Sequence, residues 1–418
     1  MRFSEPVFES ACEAAAIALK LDGATDSALS AYFRRRPELG KNDRETVAET
    51  VYKMLRRKRL IEHLGAGASV RMRALTCWAV LLGAKDSDLE GIARRSELAA
   101  LAEARLRARE PLPLEVECDL PDWLLERLLR RFGEGELRAL AAALLQSAPL
   151  DLRVNTMKSS RDEVLACFAS QGLGAQRGPL SPVCVRVQGK PPIKYHPLFA
   201  KGALDIQDEG SQLLCFLVGA RRSEMVADYC AGAGGKTLTL AMIMRSTGRV
   251  YAFDVSDKLL ARLRKRLARS GLTNVHSQRI DAGNDARLER LRGKFDRVLV
   301  DAPCSGLGTL RRNPHLKWRQ SPRTVSEFQA SQRSILASAA RLLKPGGRLV
   351  YATCSILDEE NRDVVNDFRE HHPQFRLVPA IKVLREERIA LDTGEYLELW
   401  PHRHGTDAFF AAVLEHEG

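Results

Sequence analysis

Apolar positions in the second half of the chain fall into two alternating rhythms. "MVADYC" (225–230), "GRVYAFD" (248–254), "FDRVLVDAP" (295–303) and "GRLVYATC" (347–354) are short, nearly continuous apolar runs, as strands covered on both faces are. Between them, "TLTLAMIMR", "SDKLLARLRKRLARSG" and "SQRSILASAARLLKP" carry helical spacing. In the second of these Leu259, Leu260, Leu263 and Leu267 line one face, basic residues line the other, and Gly271 ends the helix. Alternation of this kind from about residue 206 predicts an α/β fold, a mostly parallel sheet with helices on both faces. "EYLELWP" and "DAFFAAVLE", joined through "HRHGT", predict a C-terminal antiparallel hairpin that closes the sheet.

The pattern upstream is different. "LDLRVNT" (150–156), "SRDEVLACFASQGLG" (160–174) and "VCVRVQ" (183–188) read as strand, helix and strand, a small α+β domain. Before it, "PDWLLERLLRRFG" reads as a helix ended by Gly133, and "REPLPLEVECDLPD" (109–122) as a proline-rich linker. The first hundred or so residues are all-helical in pattern. Val47, Val51, Met54 and Leu55 share one face, with Asn42 as N-cap and Gly65 as stop, while Arg56, Arg57, Lys58 and Arg59 lie on the other. Three domains follow: 1–110 helical, 111–205 linker helix and small α+β domain, and 206–418 the α/β domain.

Composition narrows the function. With 45% hydrophobic and 28% charged residues in 418, this is a globular chain. Its formal charge of +12 favours a polyanionic partner, and Arg34, Arg35, Arg36 and the 56–59 run supply candidate contacts. Nine cysteines are scattered with no two close enough for zinc spacing, so no metal is expected. The N-terminus lacks the apolar core of a signal peptide, and "ALAAALL" is too short to span a bilayer. A reducing, cytoplasmic setting, a monomer and no membrane partner are the expectation.

"DYCAGAGGKT" (228–237) joins the first strand of the α/β domain to its first helix. A P-loop would need glycine where Cys230 stands, which excludes a nucleotide-triphosphate reading. Glycines here let the backbone approach a ligand, and Asp254, 19 residues past Gly235 at the next strand tip, is placed for ribose hydroxyls. Asp281, after the following strand, is a candidate for an adenine amino group. An adenosine-containing cofactor follows, NAD or S-adenosylmethionine; "LLKPGGRLVYATC" and the terminal hairpin favour the methyl donor.

Asp301, Cys304 and Cys354 all fall at strand tips, where open α/β sheets bind ligands. A thiol beside a methyl sulfonium suits methylation of a pyrimidine at carbon 5. A thiolate adding to carbon 6 makes carbon 5 nucleophilic, and a protonated Asp301 would neutralise charge arriving at ring nitrogen 3. The site must then favour a thiolate, with Lys236 and nearby helix N-termini as sources of positive potential.

"DYCAGAGGKT", "DAPCSGLGTLRRNPHLKW" and "YATCSILDEEN" resemble the signature blocks of the RsmB/NOL/NOP/Sun family of RNA 5-methylcytosine methyltransferases. "LDLRVNTMK" and "ALDIQDEGSQL" resemble its upstream blocks, so the likeness spans about residues 120–415. The resemblance implies a class I (Rossmann-like) methyltransferase domain using S-adenosylmethionine. It makes Cys354 the nucleophile and Cys304 the residue that helps release product. Cofactor contacts would map onto Cys230, Ala231, Gly232, Ala233, Gly234, Gly235, Lys236, Asp254, Asp281 and Asp301. The family's Ala-Pro-Gly-Gly turn is Gly232-Ala233-Gly234-Gly235 here, and its Asp-Gly-Phe-Phe block is Asp407-Ala408-Phe409-Phe410. "GKNDRETVAETVYKMLRRKR" is similar to the NusB-like RNA-binding domain of members that modify ribosomal RNA. The reading is methylation of a cytosine in RNA, 16S-type ribosomal RNA first. A tRNA substrate, a DNA cytosine methyltransferase and a non-catalytic RNA-binding assembly factor remain the alternatives. Arginines of "RRNPHLKWR" (311–319) would take phosphates and Trp318 would stack on a base.

Overall fold

A computed structural model describes residues 3–65, 67, 69–281 and 285–417. Its contacts divide the chain into two units, Met1–Ser147 with Thr309–Pro322, and Ala148–Gly308 with Arg323–Gly418.

The first unit is helical. Helices Glu5–Ala18, Thr25–Arg35, Lys41–Arg56 and Val70–Thr76 enclose a core that includes Phe8, Val47, Val51, Met54, Leu55 and Trp78. The stripe read from the sequence is therefore buried, but its ends differ. Gly40, not Asn42, is the N-cap, closed by the Asp43 carboxylate, which accepts from the Gly40 N–H at 3.3 Å. The helix breaks at Arg57 and restarts as Lys58–His63. The buried Asp119 carboxylate drives that restart by accepting from the Arg59 and Leu60 amides, both at 3.2 Å, as an N-terminal cap. The 56–59 run is consequently not a solvated face; Arg56 is buried and its three neighbours are half-buried.

The linker too differs from its sequence reading. The proline-rich stretch holds a short helix, Leu114–Cys118, with Val116, Cys118 and Leu120 buried. Gly133 breaks the next helix as expected: its φ of 71° is non-helical, and a second helical stretch follows it across a kink within Asp122–Leu144, burying Leu137 and Leu140.

The second unit carries two sheets. In the smaller, β1 (Leu150–Val154), β2 (Ala175–Arg177), β3 (Cys184–Val187) and β4 (Leu204–Ile206) lie antiparallel in the order β2-β3-β1-β4. β2 and β4, three residues each, escape the apolar pattern. Helix Arg161–Ser170 covers this sheet, and Ser160 with Glu163 closes its capping box.

The larger sheet comprises β5 (Met225–Asp228), β6 (Arg249–Asp254), β7 (Val275–Arg279), β8 (Phe295–Asp301), β9 (Leu343–Thr353), β10 (Phe375–Val378), β11 (Leu397–Leu399) and β12 (Phe409–His416). Its order is β10-β12-β9-β8-β5-β6-β7, with β11 paired to β12. Strands β5 to β9 are parallel, and β12 is antiparallel to β9, β10 and β11. This is a Rossmann-like fold with the predicted closing hairpin. Successive residues serve opposite cores: Val350 and Ala352 pack on one face, Leu349 and Tyr351 on the other. That is why these strands read as continuous apolar runs. The order reverses beside β5, whose neighbours are β6 and β8, so the crevice of the topological switch opens at its carboxyl end.

Candidate active site

The glycine turn follows β5 at that crevice. Gly234 is held left-handed at φ 82° as the N-cap of helix Gly235–Ile243. A Cβ there would meet the Leu263 side chain at 2.5 Å, so only glycine lets the two helices close. Gly232, also left-handed at φ 55°, faces open space, and its N–H donates to Asp254 Oδ2 at 2.8 Å. Asp254 Oδ1 accepts from the Ser256 N–H, also at 2.8 Å. Asp254 thus stiffens the turn from the tip of β6, a role the spacing argument did not include.

Two positively charged side chains brace the turn from behind. Arg153 of β1, only 3% exposed, donates to Gly235 O at 3.2 Å and to Thr239 Oγ1. Arg266 donates to Ala233 O at 2.8 Å. Asp205 of β4 pairs with Arg266 at 2.7 Å, Arg269 at 3.1 Å and Arg153 at 3.5 Å. Burial lowers the Arg153 guanidinium to about 10 despite Asp205. Sequence reasoning missed all three residues, since "LDLRVNT" reads as an ordinary half-exposed strand.

Asp301 ends β8, and its Oδ2 accepts from Lys236 Nζ at 2.5 Å. Burial opposes charge on Lys236, but the Asp301 carboxylate outweighs it and holds the ammonium above its usual range. Asp301 is thereby paired with Lys236, a partner the sequence reading did not give it. The Cys354 sulfur also lies within electrostatic reach of Lys236.

Cys304 and Cys354 are in contact, Sγ to Sγ 3.4 Å. The hydrogen bond with Cys354, then burial, pushes the Cys304 thiol well above its ordinary value, so Cys304 holds its proton. Cys230 is likewise raised, by burial and then by Asp228, Asp301 and Asp254, and stands at the foot of the turn as a neutral thiol.

Glu360 sets the spacing of the two thiol loops. Its carboxylate, fully buried, accepts from the Ser305 N–H at 2.8 Å, the Ser305 hydroxyl at 2.5 Å, the Ser355 hydroxyl at 2.5 Å and Gln332 Nε2 at 3.1 Å. The residues after both cysteines are thereby tied to one group. The signal was present in "TCSILDEEN", but an acid in a polar stretch ordinarily reads as surface. Gly308 adds a third tie. Its N–H donates to Cys354 O at 2.8 Å, and a Cβ there would meet Ala408 O at 2.4 Å.

Asp281 stands apart from this group. It is exposed after β7, paired with Arg279 at 3.2 Å, and its N–H donates to Asp285 Oδ2 at 3.0 Å. Residues 282–284 beside it lie outside the described set. Trp318 does not stand ready to stack. It belongs to the first unit, where its indole donates to Leu55 O at 2.7 Å and Lys58 covers its ring at 4.7 Å. Elsewhere in the second unit Asp151, Cys184 and Glu209 converge at ligand-like distances. Arg186 answers both carboxylates, Asp151 at 2.7 Å and Glu209 at 3.2 Å, so a cation already sits among them.

The turn fits a cofactor with an amino-acid end. Open space lies over Gly232, and Asp228 Oδ1 is buried with no partner. A sheet of this order, with that turn and two thiols at its carboxyl edge, defines an S-adenosylmethionine-dependent methyltransferase. The 16S rRNA methyltransferase RsmB/F family matches residues 216–415, and its ferredoxin-like domain matches residues 120–194. A probable ribosomal RNA small subunit methyltransferase B of Synechocystis is 32% identical, over 94% of this chain and 96% of its own length. One from Bacillus subtilis is 32% identical over 73% of this chain and 68% of its own. The crystal structure of PH0851 superposes with a TM-score of 0.79 at 26% identity, covering 99% of both chains. The chain belongs to the RsmB/F family of RNA methyltransferases.

Proposed function

We propose that this protein methylates carbon 5 of a cytosine in 16S-type ribosomal RNA through a covalent adduct with Cys354. The 3.4 Å contact between Cys304 and Cys354 carries the reading. Cys354 lies against a thiol that keeps its proton and within electrostatic reach of the Lys236 ammonium, which supports it as the nucleophile. Cys354 then attacks carbon 6 of a cytosine unstacked into the cleft. The Lys236–Asp301 pair faces the charge that arrives at ring nitrogen 3 and supplies the proton there. Residues 230–236, with Asp254 and Asp281 for the nucleoside, would hold S-adenosylmethionine, which would supply the methyl group for carbon 5. A water molecule takes the carbon 5 proton, the electron pair left behind restores the ring double bond and expels the Cys354 thiolate, and the nitrogen 3 proton returns to the Lys236–Asp301 pair. Cys304, 3.4 Å from that sulfur, would return a hydrogen bond to it as it departs.

In this reading residues 1–110 bind RNA, 111–205 form the linker helix and small α+β domain, and 206–418 perform catalysis, as a cytoplasmic monomer. The test uses RNA with 5-fluorocytosine, whose carbon 5 cannot lose a proton. Wild-type protein with methyl donor should become crosslinked. Cys354→Ala should abolish crosslink and transfer, whereas Cys304→Ala should accumulate an adduct on unmodified RNA. The reverse pattern overturns the assignment of roles.

A further inference from the structure

A cavity of about 350 Å3 opens within the first unit, and none of its lining belongs to the site above. Lys53, Arg56, Arg57 and Arg138 contribute positive charge to it, Gln146 an amide, and Glu117 its one carboxylate. Glu117 pairs with Arg138, which also pairs with Glu134 at 2.8 Å. Outside the lining, buried Asp119 is shared between Arg57 at 3.9 Å and Lys317 at 3.4 Å, and Glu49 lies within electrostatic reach of Arg56. Arg56, 7% exposed, donates through Nη2 to Arg311 O at 2.9 Å, and its Nε has no acceptor. Burial lowers the guanidinium pKa of both Arg56 and Arg57. The cavity wall therefore carries four cationic side chains, one of them buried, against a single lining carboxylate. Buried charges are ordinarily paired and buried donors ordinarily satisfied.

The missing partner is an anion. Guanidinium groups fit phosphate oxygens in a fork that a lone ammonium does not supply. The lining holds no aromatic ring on which a base could stack, only Leu81, Ala141, Ala142 and Leu145 besides Cys118 and the polar groups. That favours a phosphate presented on a chain over a whole nucleotide seated in the cavity. We infer that the cavity binds a backbone phosphate of the RNA substrate, anchoring RNA on the helical unit independently of the base that reacts. The inference rests on the RNA reading above.

The experiment measures the affinity of the full chain for transcribed small-subunit RNA across a salt series, for wild type, Lys53→Gln/Arg138→Gln and Glu117→Gln. Each phosphate contact contributes roughly 0.7 to 0.9 to the slope of log K against log salt. The double variant should lose about one unit of slope, with Kd rising about 3- to 10-fold at low salt. Glu117→Gln, which removes the cavity's negative charge, should tighten binding. Unchanged slope and affinity in variants with wild-type thermal midpoints overturn the inference and leave the RNA reading standing. So does stabilisation of wild type by inorganic phosphate without any change in the RNA slope, which would mark a small-anion site. Wild-type protein that shows no RNA affinity at all overturns both.

Discussion

Asp228 sits at the end of β5 with Oδ2 accepting from the Thr237 hydroxyl at 2.6 Å and Oδ1 buried without a partner. Burial raises this carboxyl from 3.8 to about 7, the Thr237 hydrogen bond notwithstanding. A raised acid favours the folded state while protonated. Its contribution is complete below about pH 4 and is lost as pH rises through about 7. Asp228→Asn removes that loss, a few kcal/mol in all at about 1.4 kcal/mol for each tenfold change in proton affinity. Urea midpoints without cofactor, from pH 4.5 to 8, should fall more steeply for wild type; parallel curves would show that the carboxyl stays ionised. Glu360 acts differently, by holding two backbone loops to one carboxylate. Glu360→Gln keeps the volume but replaces an acceptor oxygen with a donor amide facing two serine hydroxyls. Misplacement of reacting groups by about 1 Å can cost on the order of 100-fold. The variant should lose about 10- to 100-fold in kcat with KM for the methyl donor little changed, and its yield of 5-fluorocytosine adduct should fall in parallel. A variant that loses only thermal stability would reduce Glu360 to a structural prop.

Elements whose chemistry is local were legible before the structure. Glycines at a strand-to-helix turn, and Pro-Cys and Thr-Cys at strand ends, declare themselves because each needs its residue type at one backbone position. What escaped depends on partners far along the chain. Asp119 restarts a helix about sixty residues upstream, which turns the 56–59 run inward. β10 pairs only with the last strand, and its four residues show no pattern of their own. Gly133 breaks its helix as its local signal says, whereas the helical stretch that follows it, with Leu137 and Leu140 buried, went unread. The glycine turn itself gives a test at this scale. Gly234→Ala places a methyl 2.5 Å from Leu263 and strains a φ of 82°. The cost should be about 1–3 kcal/mol in stability, as for other strained, overpacked sites. Affinity for the methyl donor should drop at least 10-fold by calorimetry. Gly232→Ala, with a similar φ but no neighbour within 4 Å, should cost less stability while still weakening the cofactor, because its Cβ enters the space the cofactor needs. Equal stability losses at the two positions would remove Leu263 from the explanation.

Across the second unit as a whole, the small antiparallel sheet is joined to the cofactor turn through charge. Arg153 comes from β1 and donates to Gly235 O, and Asp205 from β4 pairs with Arg153, Arg269 and Arg266, the last of which donates to Ala233 O. The arrangement is lopsided, with three guanidiniums around one carboxylate, and that asymmetry makes a prediction. In Arg153→Met, Asp205 keeps two closer arginines, so no buried charge is stranded and the loss is mainly that of two hydrogen bonds to the turn. In Asp205→Asn, Arg153 remains 3% exposed with no counter-charge beside it. Removing one partner of a buried pair costs about 3–5 kcal/mol, most of it from the charge left behind. Asp205→Asn should therefore unfold at clearly lower urea concentration than Arg153→Met, although the asparagine change is far smaller in volume. Both should weaken the methyl donor, because each loosens the grip on Ala233 and Gly235. If Arg153→Met proves the more damaging to stability, packing rather than charge holds the small sheet against the turn.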